Sequence, residues 1–474
     1  MMNARQIVAA KSVFWYFLRR LGGMMRALVG GEEIDVRRWI AACVAMALLL
    51  SCRDLCARQS AAGTAASSGA TRQTETDEYT KYELLEPDSA SFRIRYEVTA
   101  TTAGATYYYN PIRKGSVATD EAVYDAMSGG ALQFEVVSGE VAQKDPLMAD
   151  ADAGGNYIKV DLARPVPKEG QARLIILKTY KDAKSYYRDG NAIVFNRSLG
   201  IKRNSVVLPV GYEVVGCNVA SQILPQADGR TTVSFLNANA GEAALIVRAR
   251  LGARTGAAAA PKPVTTAVSW EAPFAGETEK ERLSERAHQD RDIVYFLKEP
   301  ESHAFRLYHD YTESRPGVDK YLNVVRAGST VSDPSAYVLD TGEKLETQIM
   351  SGEQLAAAKV DAGEAVAPTA QVVVIRFPPL KKGQSIRLRI SETYTAIGSY
   401  RLEGEDLVFD RSLGRPRNAV VLPEGWYVTA SATPATVSEA ADGRVRLDFW
   451  NGSPDPADVL IKGKRRVTPV EKKQ

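Results

Sequence analysis

FNRSLGIKRNSVVLPVGY, residues 195–212, returns 214 residues later as FDRSLGRPRNAVVLPEGW, residues 409–426, with 12 of the 18 positions identical. Weaker matches flank this segment: EPDSASFRIRYEVT at 86–99 with EPESHAFRLYHDYT at 299–312, and ADGR at 227–230 with ADGR at 441–444. Chance does not produce such agreement, so one unit has been duplicated. We place the first copy at residues 82–251 and the second at residues 294–465, each within the usual size of a domain.

The apolar residues inside each copy follow a period of two. Residues 92–98 (FRIRYEV) and 445–449 (VRLDF) alternate apolar with charged side chains, which is typical of a strand with one buried face. Asp-Gly pairs at 228–229 and 442–443 supply the positive φ that tight hairpin turns require. The sequence therefore predicts an all-β protein, with two tandem homologous antiparallel β-sandwich domains after a signal peptide and a flexible tether.

The N-terminus has the features of an export signal. Two arginines at 37–38 precede an apolar run at 39–50, which is shorter than the roughly 20 residues that cross a ~30 Å hydrocarbon core. A positive flank, a short apolar segment and a small residue after it are typical of a secretory signal peptide. We assign residues 1–51 to this signal, with the true start at Met24 or Met25.

The sequence LLSC, which ends at Cys52, resembles the lipobox of bacterial lipoproteins. This resemblance implies cleavage before Cys52 and lipidation of its sulfur, so that the membrane becomes a partner through a lipid anchor. A signal peptide without lipid and an uncleaved anchor are the alternatives. Small polar residues within 52–81 predict a flexible tether. The expected location is the cell envelope, as an exported outer-membrane lipoprotein that faces the periplasm or the cell surface.

Residues 252–293 separate the two copies. AAAAPKPV at 257–264 indicates a semi-rigid linker. GETEKERLSERAHQDRD at 276–292 predicts the one clear helix of the chain, and linker and helix together would space the two sandwiches. Residues 466–474 form a basic tail.

The duplicated segment is also the first candidate for a binding site. A loop in each copy would present these candidate ligand-binding residues: Arg197, Arg203 and Asn204 in the first copy, and Arg411, Arg417 and Asn418 in the second. Paired guanidiniums bind carboxylates or phosphates through forked hydrogen bonds. In the structural alternative, the glycine supplies a turn, Val-Val-Leu forms a buried strand, and the proline ends it. The sequence alone leaves both interpretations open.

No metal site and no cofactor is predicted. The histidines are His288, His303 and His309, and the last two share one face of a predicted strand about 20 Å apart, too far for a common ion. DADAGGN at 150–156 suggests calcium, but it lacks the ligand spacing and terminal glutamate of an EF-hand. We expect core-edge histidines and a solvated turn.

Catalysis finds little support in the motifs. GxSxG, HExxH, Walker and Rossmann patterns are absent from the sequence. The formal charge of +3 is small and mixed along the chain, so no nucleic acid partner is expected. Paired carboxylates of a glycosidase need no motif and stay open. The three tyrosines at 107–109 offer a sugar-stacking platform, but alternation favours an ordinary strand with core and surface faces.

One segment of the second copy resembles a known domain. VLDTGEKLETQIMSGEQ at 338–354, followed by IRFPPLKKGQSIRLRISETY at 375–394, is similar to the saddle-shaped N-terminal β-domain of HExxH zinc aminopeptidases. The resemblance implies a β-sandwich and recognition of a polypeptide. It brings no catalytic residue, because the catalytic domain of that family is lacking.

These observations favour a noncatalytic cell-envelope lipoprotein, a tandem β-sandwich module that binds or scaffolds a protein or glycan partner. Duplication suits such a role, because two linked modules gain avidity without new contacts. One alternative is a glycan-acting hydrolase that uses surface carboxylates. Another is a saddle-like accessory subunit of a separately encoded peptidase.

Overall fold

Strands make up most of the described chain. The computed structural model describes residues 72–252 and 283–466, which belong to one compact unit spanning residues 70–474. The predicted signal peptide, the lipidation site Cys52 and almost the whole basic tail lie outside the described residues. So do most of the predicted tether and linker.

The described strands of the first copy are β1 (Glu75–Leu84), β2 (Ser91–Ala100), β3 (Tyr107–Ile112), β4 (Val117–Asp125), β5 (Phe134–Ser138), β6 (Asn156–Asp161), β7 (Ala172–Lys181), β8 (Tyr186–Asp189), β9 (Ala192–Leu199), β10 (Arg203–Val207), β11 (Tyr212–Cys217), β12 (Gln222–Pro225), β13 (Thr231–Leu236) and β14 (Ala243–Leu251). A short helix, α1 (Gly139–Ala142), follows β5.

The described strands of the second copy are β15 (Arg291–Leu297), β16 (Ala304–Glu313), β17 (Lys320–Val324), β18 (Thr330–Val338), β19 (Glu343–Ser351), β20 (Gln371–Arg376), β21 (Ile386–Thr395), β22 (Tyr400–Glu403), β23 (Asp406–Leu413), β24 (Arg417–Val421), β25 (Trp426–Ser431), β26 (Thr436–Glu439), β27 (Val445–Trp450) and β28 (Ala457–Arg465). Helix α2 (Gly352–Ala357) begins at a capping box, in which the side chains of Ser351 and Gln354 each accept a backbone N–H.

The first copy is a sandwich of two main sheets. Their strand orders are β12-β13-β10-β1-β2-β7-β4 and β11-β14-β9-β8, and a smaller sheet has the order β3-β6-β5. One buried core takes Phe92 and Ile176 from the larger sheet and Phe195 and Leu245 from the four-stranded sheet. The all-β sandwich predicted from the alternation is therefore confirmed.

The second copy has the same design with one difference. Its four-stranded sheet, β22-β23-β28-β25, faces a ten-stranded sheet, β17-β20-β19-β18-β21-β16-β15-β24-β27-β26. The counterpart of the small sheet has joined the large one, because β18 pairs with β19 through Ala336 and Leu345. Phe305 and Leu388 pack against Phe409 and Ile461 in its core.

Among the described strands, each sandwich contains one parallel pair, which is an exception within the antiparallel sandwiches that we predicted. Strand β1 runs parallel to β10, with Tyr82 opposite Val206, and β15 runs parallel to β24, with Tyr295 opposite Val420. The strand that begins each copy inserts between the strand of the duplicated segment and β2 or β16. The paired strands are more than 100 residues apart in the sequence, so no local sequence pattern reveals that they run parallel.

Each copy begins earlier in the chain than the boundary that we predicted for it. The first copy begins at Glu75, within the predicted tether of 52–81, because strand β1 buries Tyr79 and Thr80. Strand β15 begins at Arg291, three residues before the predicted boundary at 294. Both strands are central in their sheets, and in β1 the contacts across the fold outweigh a polar composition.

The predicted helix at 276–292 is wrong over its described part. Residues 283–290 form turns and bends, and Arg291 already belongs to β15. These residues make contacts with both sandwiches, and the contacts replace helical hydrogen bonds. In the part of the chain that is described, no helix combines the length and hydropathy needed to cross a bilayer.

Candidate functional site

The duplicated segment forms two strands and the turn between them in each copy. The structure places the six candidate side chains inside the protein and not on an exposed loop. Five are buried, namely Arg197, Arg203, Asn204, Arg411 and Asn418, while the side chain of Arg417 is 16% exposed. Apart from Arg411, these side chains contact groups inside the protein, as the structural alternative implies.

Arg197 is held in an aromatic and polar enclosure. Its guanidinium carbon lies 5.5 Å from the ring centroid of Phe92 and 5.6 Å from that of Tyr180. Its Nη1 donates to Asp182 Oδ2 and to Ser185 Oγ, both at 3.2 Å. This ion pair is almost buried, with 5% and 11% of the two side chains exposed.

Arg411 has the same surroundings in the second copy except for the carboxylate. Its guanidinium carbon lies 5.4 Å from the Phe305 centroid and 5.8 Å from that of Tyr394. Its Nη1 donates to Ser399 Oγ at 3.3 Å. Within residues 72–252 and 283–466, Arg411 has no acidic partner within 4.0 Å, and its buried Nε has no hydrogen-bond acceptor.

The two asparagines have identical structural roles. Asn204 Nδ2 donates to the carbonyl oxygen of Ile201, and Asn418 Nδ2 donates to that of Arg415, each at 2.7 Å. Each bond ties the start of a strand to the preceding turn. The asparagine of the repeated RN pair is therefore a turn-holding residue.

The second arginine of each copy faces the segment that enters the second sandwich, residues 284–290, which we call the connector. Arg203 Nη1 donates to the carbonyl oxygen of Ala287 at 3.2 Å and stacks 5.6 Å from the Tyr79 centroid. Arg417 Nη2 lies 3.6 Å from Asp290 Oδ1. The same repeated residue type thus holds the same connector in both copies.

The connector makes further contacts on both sides. In the first copy, Glu285 accepts hydrogen bonds from Tyr79 Oη at 2.9 Å and from Ser234 Oγ at 2.8 Å. In the second copy, Arg286 Nη2 donates to the carbonyl oxygen of Gly414 at 2.9 Å. His288 Nε2 lies 3.4 Å from a carboxylate oxygen of Glu97.

The pKa of Glu97 is held below its usual range. Burial acts to raise this pKa, but the neighbouring Arg95 and His288 outweigh burial and keep the carboxylate ionised. This charge lies where β2 meets the connector, so the pair with His288 links connector and first sandwich.

A buried ion pair joins the two copies directly. Arg173 of β7 donates to both carboxylate oxygens of Asp340, at 2.7 and 2.9 Å, and the two side chains are 4% and 0% exposed. Ser385 adds a bond from its Oγ to the carbonyl oxygen of Ala126 at 2.7 Å. Two arms of one guanidinium on one carboxylate fix direction as well as distance.

The equivalent arginine of the second copy, Arg387, lies in an acidic cluster on the same side. It pairs with Asp290 of the connector, and its Nη2 lies 3.6 Å from Asp292 and 4.0 Å from Asp310. Arg389 contacts Asp310 through two hydrogen bonds of 2.9 and 2.7 Å. Between these groups lies a cavity of about 20 Å³, lined by Glu97, Arg173, Arg203, Asp290 and Arg387 among others, which is large enough for one water molecule.

Sequence reasoning missed a pair of buried charges at equivalent core positions. Lys178 of β7 donates from Nζ to Asn110 Oδ1 at 2.6 Å, and burial lowers the pKa of Lys178 to about 8. In the second copy Glu392 accepts from Asn323 Nδ2 at 3.0 and 2.8 Å, and burial raises the pKa of Glu392. Both residues could have been found in the sequence, because each is a charged residue at an apolar position of an alternating strand.

The histidines do not form a site. We predicted that His303 and His309 lie on one strand, and this is wrong. His303 ends a short 3₁₀ turn with a φ of 52°, and strand β16 begins at the next residue. Its Nδ1 lies 3.1 Å from the carbonyl oxygen of Tyr400. His309 is buried in β16, and burial lowers the pKa of His309 to about 3.

The aspartates of DADAGGN are surface residues. Asp150 pairs with Arg72, and Asp152 pairs with Lys114 at 2.5 Å, with about half or more of each side chain exposed. Among the residues described by the structure, no group of three or more His, Cys, Asp or Glu residues has the arrangement of a metal site. Tyr107 is exposed on β3, whereas Tyr108 and Tyr109 are both buried, in two different apolar clusters. The alternation of core and surface positions that we expected for the three tyrosines is therefore wrong.

The chain matches no protein-family model and no curated protein. Among solved structures it is similar to an M1 zinc metallopeptidase from Deinococcus radiodurans, at 19% identity over 38% of this chain and 43% of that chain, with a TM-score of 0.24. An aminopeptidase N family protein from Idiomarina loihiensis is 10% identical over 36% of this chain and 29% of that chain, with a TM-score of 0.23.

A third solved structure is a protein from Legionella pneumophila described as nutrient binding. It is 7% identical over 38% of this chain and 68% of that chain, with a TM-score of 0.24. The chain spans less than half the length of the M1 peptidases that it matches. These likenesses are weak and assign neither an activity nor a ligand.

Proposed function

We propose that this chain is a noncatalytic cell-envelope lipoprotein whose two joined β-sandwiches bind or scaffold a protein or glycan partner. The observation that carries the proposal is the polar interface between the copies, centred on Arg173 and Asp340, which are almost fully buried. An interface of this kind holds two related modules in one fixed arrangement. Fixed modules lose less freedom on binding than modules on a flexible linker.

The ion pairs formed by the clustered carboxylates also favour a binding role over hydrolysis. A glycosidase needs one carboxyl with a raised pKa and a second, ionised one on either side of an open cleft. Three described acids that gather near Arg387, namely Asp290, Asp292 and Asp310, are instead paired with arginines. Their pairing suits a structural role.

The binding role is tested with purified full-length Cys52→Ser protein, which carries no lipid. Panels of peptides and glycans are incubated with the protein, with retention measured by biolayer interferometry and cleavage by mass spectrometry. We expect retention of at least one class without new products. Cleavage that rises in proportion to the protein through successive purification steps would contradict the proposal.

The anchor is tested separately, because Cys52 lies outside the described residues. Cells that express the protein are labelled with an alkyne analogue of palmitate, and Cys52→Ala serves as the comparison. We expect label in the wild type and none in the variant, together with release of the variant from the membrane fraction. Equal labelling of both proteins would rule out Cys52 as the anchor.

A further inference from the structure

The two copies differ at one position of an otherwise repeated charge site. In the first copy, Asp182 accepts five hydrogen bonds. The donors are Arg197 Nη1 at 3.2 Å, Ser185 Oγ at 2.7 Å, Ser116 Oγ at 3.5 Å, and the backbone amides of Lys184 at 3.1 Å and Ser185 at 3.2 Å. Burial acts to raise the pKa of Asp182, but these donors outweigh it and lower the pKa. The first copy therefore holds an internal carboxylate.

The second copy has Ala396 at the equivalent place. The turn has the same backbone: the amides of Ser399 and Tyr400 both donate to the carbonyl oxygen of Ala396 at 2.9 Å. In the first copy the amides of Ser185 and Tyr186 donate to that of Asp182, at 3.1 and 3.0 Å. The Cβ atoms of Ala396 and Asp182 therefore have equivalent positions, and only the carboxylate is missing.

The second copy keeps hydrogen-bond donors around Ala396. Arg411 keeps its bond to Ser399 Oγ at 3.3 Å, and its guanidinium is stacked among aromatic rings as that of Arg197 is. A second guanidinium, that of Arg326, is close enough for Arg411 to lower the pKa of Arg326, an effect second only to burial. Arg326 Nη2 donates to the carbonyl oxygen of Ser412 at 2.9 Å.

This charge is not compensated within the described chain. Arg411 is 7% exposed and its Nε has no acceptor, and neither Arg411 nor Arg326 has a carboxylate within 4.0 Å among residues 72–252 and 283–466. A buried cation without a counterion is costly. An anion from outside the chain would remove that cost, and Arg326 is exposed at the surface.

We propose that the second copy binds a carboxylate of a polypeptide partner, at the place that Asp182 fills in the first copy. Arg411, Arg326 and Ser399 are its ligands. In the first copy the equivalents of Arg411 and Ser399, which are Arg197 and Ser185, both donate to the carboxylate of Asp182, so this pair of donors suits a carboxylate. Ile397, which is 62% exposed beside Ala396, adds an apolar contact for a residue next to the acid. The inference names the partner chemistry of the binding role proposed above and rests on it.

The probes are acetate and three short peptides that share one sequence. One peptide has an aspartate and an amidated C-terminus, one has asparagine and a free C-terminus, and one has asparagine and an amidated C-terminus. We expect acetate and at least one of the two carboxylate peptides to bind the full-length wild type. The third peptide should not bind, and the better of the first two identifies the source of the carboxylate.

The decisive variant is Ala396→Asp, which restores the internal carboxylate. Its own aspartate competes with the probe, so affinity should fall at least about tenfold, the equivalent of losing one charged hydrogen bond. Asp182→Ala is the matched variant of the first copy. It should gain a second acetate site in that copy, where Arg197 and Ser185 donate to the acetate in place of Asp182. Its thermal midpoint should fall and then recover in acetate more than in chloride of equal ionic strength.

The outcomes separate the two proposals. If acetate binds the wild type and Ala396→Asp equally, or if phosphate binds and the carboxylates do not, the inference is wrong. If Ala396→Asp does not fold, the Asp182→Ala rescue decides alone, and absence of rescue contradicts the inference. A partner that binds the wild type and Ala396→Asp with equal affinity leaves the binding role intact while it removes this site.

Discussion

At the level of single residues, the duplicated chain preserves contacts more faithfully than charges. Asn110 and Asn323 occupy equivalent positions, and one accepts a hydrogen bond from Lys178 while the other donates to Glu392. An asparagine side chain carries both a donor and an acceptor, so it satisfies either charge. The sequence places both charges on the apolar face of a strand, but it does not reveal their asparagine partners, which come from a strand far away in the chain.

Lys178 predicts a rise of stability at alkaline pH. Burial lowers its pKa to about 8 in the folded protein, whereas an unfolded lysine has a pKa near 10.4. Between these values the unfolded chain binds more protons, so the free energy of unfolding increases with pH. Relative to Lys178→Met, the wild type should gain on the order of 2 kcal/mol between pH 7 and pH 10, as measured by urea unfolding.

Glu392→Gln is the matched comparison of the second copy and has the opposite sign. The pKa of Glu392 is raised in the folded protein, so stability is present below the unfolded value and is lost as pH rises through the folded one. The wild type should lose stability relative to Glu392→Gln as pH rises from about 4.3. A difference that does not change with pH in either pair would contradict the assigned burial of that charge.

At the level of elements, local pattern predicts hairpins well and distant pairing poorly. The Asp-Gly pairs lie in the turns β12–β13 and β26–β27, where Gly229 and Gly443 have φ of 81° and 78°. The sequence assigns the first seven residues of strand β1 to the tether, because the burial of this strand depends on β10 and on contacts with the connector. The six candidate residues were likewise recognised as a repeat, but only the pairing of the strands shows that they point inward.

Gly443→Ala tests the turn of the second copy. A Cβ at this position has no close contact, since the nearest atom is 3.6 Å away, so the expected cost is the strain of a positive φ alone. We expect a loss of roughly 1–2 kcal/mol in the free energy of unfolding. Gly452→Ala, which has open space and no positive φ, should change it by less than about 0.5 kcal/mol, and equal losses would show that the turn is not decisive.

At the level of the whole molecule, the proposed binding role depends on the two copies acting as one body. The duplicated arginines Arg173 and Arg387 both face the polar interface between the copies, which we call the junction. Arg173 pairs there with Asp340 of the second copy, and Arg387 pairs with Asp290 of the connector. Sequence predicts the duplication and two sandwiches, but it cannot reveal this junction. Asp340 has no aspartate at the equivalent position of the first copy, so the repeat does not single it out. Ion pairs across an interface also produce no periodic pattern in the sequence.

Asp340→Ala should weaken the junction strongly. Removing the carboxylate leaves Arg173 buried without its partner, at a cost of about 3–5 kcal/mol. The comparison is Asp189→Ala, which breaks an ion pair with Arg248 of similar length, 2.6 Å, but with 44% and 56% of the side chains exposed. That exposed pair should contribute less than about 1 kcal/mol. Similar losses in the two variants, measured by urea unfolding, would mean that the junction is not specially stabilised.

Scanning calorimetry of the full-length protein tests most directly whether the two sandwiches form a single body. If the junction joins them, they unfold in one transition, and the calorimetric and van't Hoff enthalpies have a ratio of about one. Asp340→Ala should then divide this peak into two. Two separate transitions in the wild type, unchanged in Asp340→Ala, would contradict the account.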